Sequence, residues 1–200
     1  LIIDKNKAAI KERKDGEIKY SDVYLRILKI LVTIAKYGNT LGEFSFYEKY
    51  LLEYVKKILE VYSGDEYITF NTYLLLGNLY VEFGFLKKGY KLYEEITKNN
   101  SDDDKEKLNQ VVLCANYNSG LINFVIDKYE AARQHLEKAL KIQKQFLREN
   151  HDSQISQIYE TLTEIDIEHK NYVGAFENLL KAKESRQLSN TEDKEFDLKV

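Results

Sequence analysis

A pattern that recurs every 43 residues constrains this chain more than any other feature of it. Three copies run in step. Tyr73, Asn116 and Tyr159 open them, followed three residues later by Leu76, Ser119 and Leu162. Next come Gly77, Gly120 and Thr163, then Tyr80, Asn123 and Asp166. After an interruption the copies resume at Leu86, Tyr129 and Tyr172, with small residues at Gly89, Ala132 and Ala175. Tyr93, Leu136 and Leu179 follow, and Ile96, Ala139 and Ala182 close the pattern. Offsets of three, four and seven residues put the first four positions on one face of a helix and the last four on one face of a second. Each copy is therefore a helical hairpin that cannot bury its apolar face alone, and stacked copies make a continuous core. The small residues at Gly77, Gly89, Gly120, Ala132 and Ala175 let paired helices approach closely. Gly84 lies between the two helices of the first copy, where it can take the left-handed conformation that ends a helix. Asp127 and Lys170 hold that place in the later copies.

Composition agrees with long helices and narrows the function classes. The chain has no proline, so nothing kinks a helix or stiffens a loop. Hydrophobic residues at 44% and charged residues at 32% suit a soluble globular chain. No stretch approaches the roughly 20 apolar residues that cross a bilayer, so membrane insertion is not expected. Thirty Lys and Arg against 33 Asp and Glu leave a net charge of −3, which offers no global positive field for nucleic acid. Cys114 is the single cysteine, which excludes an internal disulfide framework and suits a reducing compartment. A cytoplasmic location is the expectation. The absence of methionine and the opening at Leu1 read as a piece of a longer protein.

The repeated residues resemble the tetratricopeptide repeat. That family places an aromatic, Leu-Gly and Tyr in helix A, and Tyr, Ala, an aromatic and Ala in helix B. Tyr73, Leu76, Gly77 and Tyr80 match the first half best; Tyr129, Ala132, Leu136 and Ala139 match the second. The usual period is about 34 residues, and the family's closing proline is missing here. The longer period is similar to the repeats of kinesin light chains and related adaptors, a likeness strengthened by the stretches Ala139 to Ile142 and Asn171 to Ala175. The resemblance covers roughly Asp65 to Gln187. It implies an all-α fold, a right-handed superhelical solenoid of antiparallel helix pairs. Asn116, Asn123 and Asp166 replace aromatics, so looser packing is expected there.

The pattern divides the chain into three regions: residues 1–64 as divergent helices of the same solenoid, 65–187 as the three repeats, and 188–200 as the start of a further helix. Ser21 to Tyr62 reads as a hairpin with a longer turn at Gly38 to Gly42, preceded by one more helix over Leu1 to Lys14. Ser189 and Glu192 have the spacing of a capping box, which predicts a helix start there.

Patterns that carry chemistry fail one by one. His135, His151 and His169 are scattered, without the convergent spacing of metal ligands. Asp102 to Asp104 opens like a calcium loop, yet Leu113 stands where the twelfth-position glutamate belongs. Gly84 to Gly89 has the glycine spacing of a phosphate loop, but Tyr90 follows in place of Lys-Ser/Thr. Nothing beside Cys114 would activate a thiolate. No enzyme activity, cofactor or metal is expected.

The expected function is binding. In the resembled family the concave surface is lined by helix A residues opposite the packing stripe. By position these are Asn71, Leu74 and Asn78 in the first copy, and Tyr117, Asn118, Leu121 and Phe124 in the second. Gln157, Glu160 and Glu164 take those places in the third. The amides would bond an extended peptide backbone, and the apolar residues would hold its side chains. A carboxylate clamp of the chaperone-binding kind is not expected, because its cation positions carry Leu74, Tyr117 and Glu160. The partner is thus a protein or peptide held by an adaptor; a structural spacer and a peptide-sensing regulator are the alternatives. Sequence leaves the oligomeric state open.

Overall fold

The computed structural model describes residues 20–37, 44–98, 106–146 and 152–197. The described residues form eight helices and no strand. They are α1 (Tyr20–Tyr37), α2 (Phe44–Val61), α3 (Glu66–Glu82), α4 (Leu86–Lys98), α5 (Glu106–Val125), α6 (Tyr129–Phe146), α7 (Asp152–Glu168) and α8 (Tyr172–Asp197). The chain divides into two compact units, Leu1–Leu92 and Tyr93–Val200. The expected helix over Leu1 to Lys14 and the turn at Gly38 to Gly42 lie outside the described residues, as does the acidic run at Asp102 to Asp104.

In the first unit, α1 packs on α2 and on α3. Leu25 and Leu28 meet Leu51, Val55 and Ile58, whose spacing of four and three makes one stripe of α2. Ile68, Leu76, Leu79 and Tyr80 complete this core from α3. Asp65 caps α3, accepting a hydrogen bond from the Ile68 amide at 3.0 Å. Glu48 of α2 then ties two later elements together. Its Oε1 accepts from the Tyr80 hydroxyl at 2.8 Å and from Lys88 Nζ at 2.6 Å. Burial alone would raise the Glu48 carboxyl, but the hydrogen bonds from Lys88 and Tyr80 hold it below the usual carboxylate range.

In the second unit α5 pairs with α6 and α7 with α8, while α7 also touches α6 and α5. Leu113, Ala132, Leu136, Ala139, Ile158, Leu162 and Ile165 form its core. Burial follows the repeat. In helix A of the three copies, the second, third and fourth positions are all buried. Helix B repeats this at Gly89, Tyr93 and Ile96 and at Ala132, Leu136 and Ala139. In α8 Ala175 and Ala182 are buried, whereas Tyr172 is 67% and Leu179 52% exposed. With Val173, Phe176 and Leu180, at 45–73% exposure, they make an uncovered apolar stripe.

The turn between paired helices is built the same way three times. Gly84, Asp127 and Lys170 have φ of 79°, 60° and 58°. Each donates its amide to the carbonyl three residues back, and the next residue donates to the carbonyl five back, at 2.8–3.0 Å throughout. This pair of hydrogen bonds closes the orphan carbonyls at the end of helix A as a Schellman motif.

Two expectations need correction. Asn116, Asn123 and Asp166 do not loosen their copies; all three are buried and hydrogen-bonded. Asn116 and Asn123 donate to the carbonyls of Val112 and Ser119 at 2.9 Å. Asp166, 2% exposed, accepts from Arg133 at 2.6 Å, Asn171 at 2.9 Å and Asn178 at 2.8 Å. A carboxylate removed from water needs such a set of donors. Nor does a helix start at Ser189: α8 runs unbroken to Asp197. No Gly or Pro occurs between Lys181 and Asp197 to end it.

Candidate partner-binding surface

The first unit supplies Asn71, Leu74 and Asn78 from α3. Leu74 is only 9% exposed, because in this copy both faces of α3 are covered. Asn71 is half-buried and Asn78 exposed.

The second unit brings more of the expected residues together. Tyr117, Asn118, Leu121 and Phe124 lie half-buried along α5, while Gln157 and Glu164 are exposed and Glu160 half-buried on the neighbouring α7. The Tyr117 hydroxyl donates to Gln157 Oε1 at 2.9 Å, joining the two A helices directly. One turn earlier Gln154 Nε2 reaches Cys114 Sγ at 3.8 Å. Burial pushes the Cys114 thiol up, which favours its neutral form. Burial also raises the Tyr117 phenol, helped by the nearby Glu160 charge. The Phe124 ring packs on Tyr129 at 5.9 Å, which fixes the far end of the surface.

Some pairings follow from no spacing in the sequence. Asn118 is hydrogen-bonded to the buried Tyr93 hydroxyl, so its amide helps hold α4 to α5. Glu160 is ion-paired with Arg186 of α8. Lys181 sits over the Tyr159 ring, 5.7 Å from its centre. Helical periodicity tells which face a residue occupies, not which long side chain reaches it from another element.

Among the described residues no three His, Cys, Asp or Glu side chains converge on a metal-sized site, and no helix is long and apolar enough to cross a membrane. Chemically the surface offers amides, a phenol, two carboxylates and apolar patches.

Neither a family model nor a curated protein matches the chain. Solved structures that match include the crystal structure of BtubC (BKLC) from P. vanneervenii. It is 14% identical over 95% of this chain and 93% of that one, with a TM-score of 0.43. A likeness of that size says nothing about function.

Proposed function

We propose that this chain is a non-catalytic adaptor: a tetratricopeptide-like, right-handed solenoid of antiparallel helix pairs whose concave surface holds a partner's peptide or helix in the cytoplasm. The observation that carries this reading is the α5–α7 pair. Two A helices, one repeat apart, present a row of half-buried and exposed side chains, with the Tyr117–Gln157 hydrogen bond fixing their spacing. Preorganised side chains lower the ordering cost of binding a flexible segment.

The test is a selection of random nonapeptides on the immobilised chain. Gln157→Ala with Leu121→Ala should weaken the captured peptides at least about tenfold, equivalent to roughly 1.4 kcal/mol. The melt should move little, because Gln157 is exposed and Leu121 only half-buried. A spacer gives the opposite result: no peptide is captured, or those captured respond only to changes on the outer face of α6, such as Glu130→Ala with Glu137→Ala.

A further inference from the structure

Leu121 and Val125 of α5 hold the same repeat positions as Glu164 and Glu168 of α7, 43 residues later. On two successive turns of touching helices, an apolar residue on one is thus matched by a carboxylate on the other. Leu121 is half-buried and Val125 67% exposed; both glutamates are exposed. The remaining carboxylate of this surface, Glu160, is already neutralised by Arg186.

Glu164 and Glu168 are poorly placed for folding alone. Four residues apart on one helix, like charges repel. Glu168 is also the last residue of α7, where the helix dipole disfavours a negative charge, and α7 has no basic residue in its last turn. His169, just beyond, lies 3.9 Å from Glu130. Some other exposed helix faces carry opposite charges at this range, as in Lys56–Glu60 and Lys98–Glu95, while others carry like charges, as Lys87 and Lys91 do. Local choices that oppose the fold are expected at sites of function.

Resting on the groove reading above, we infer that the α5–α7 face takes an extended peptide in which apolar side chains alternate with lysine or arginine. The apolar side chains lie along Leu121 and Val125, and the cations meet Glu164 and Glu168. Complementary charge of this kind sets specificity and the rate of encounter more than bulk affinity.

The nonapeptide selection tests this when run at low and at high salt. Captured sequences should be enriched in Lys and Arg beside apolar residues, and high salt should weaken them. Glu164→Gln with Glu168→Gln should abolish the basic preference and weaken basic clones about tenfold at low salt, a change of roughly 1.4 kcal/mol. Thermal stability should hold or rise slightly as the repulsion is removed. If captured peptides lack basic residues but still depend on Gln157 and Leu121, the charge inference falls while the groove reading stands. A basic preference that survives the double substitution also overturns it, since general attraction to an acidic chain would then explain the enrichment. Capture that ignores every one of these residues, or no capture at all, sinks both.

Discussion

At the scale of single residues, the three turn positions show how one conformational demand is met by different chemistry. A side chain in the left-handed region crowds its own carbonyl, costing about 1–2 kcal/mol that glycine avoids. Gly84 meets the demand directly, and a Cβ added there would touch nothing within 4 Å. Gly84→Ala should therefore destabilise by about 1 kcal/mol through backbone strain alone. Lys170→Gly should stabilise by roughly 0.5–1 kcal/mol, once glycine's greater freedom in the unfolded chain is set against the relief. Asp127 is less clean, because its carboxylate accepts the Tyr129 hydroxyl at 3.0 Å. Urea melts of the two single variants check this; equal midpoints for both would show that the turn is not strained as described. The position was legible in the sequence because a helix stop must fall between two amphipathic stretches, and a glycine stands there. The pairing of Asn118 with Tyr93 was not legible. Nothing in either residue's position names the other, and the pairing adds a stabilising contact at a residue that sequence alone offered as a ligand-binding one.

Helix pairs turn the small residues of the repeat into close contact. At Gly120 an added Cβ would lie 2.7 Å from two atoms of Leu136, a side chain with no exposure and no room to yield. At Gly89 it would lie 2.9 Å from the Gly77 carbonyl, which is backbone and yields still less. Helix propensity favours alanine over glycine by about 1 kcal/mol, yet overpacking of this kind costs about 1–3 kcal/mol. Gly120→Ala and Gly89→Ala should each lower stability, by up to roughly 2 kcal/mol net. A stabilising effect at either would mean that α5–α6 or α3–α4 packs more loosely than described. The repeat made these contacts legible, since a glycine on a packing stripe has no other evident reason to be there. The polar core was harder to foresee. Asp166 stands where the repeat calls for an aromatic, and only the fold shows Arg133, Asn171 and Asn178 converging on it. The capping-box spacing at Ser189 misled for a related reason: a capping residue acts only where the preceding helix stops, and α8 does not stop there.

For the chain as a whole, the uncovered stripe on α8 governs behaviour that no single contact reveals. Tyr172, Val173, Phe176, Leu179 and Leu180 stay wet in the free chain. Val173 and Leu180 are apolar where the earlier copies carry Lys87 and Glu94, and then Glu130 and Glu137. Contiguous apolar patches beyond a few hundred Å² are uncommon on monomers, and a net charge of only −3 supplies little mutual repulsion. The folded chain should light up a hydrophobic dye such as ANS before any unfolding begins. Val173→Lys with Leu180→Glu should remove most of that emission and leave the melt nearly unchanged. Dye binding that persists in this variant would place the sticky surface elsewhere. In colloidal terms, the chain's second virial coefficient should be negative near neutral pH and become positive in the same double variant, so handling in concentrated solution is set by two residues that contribute little to the fold.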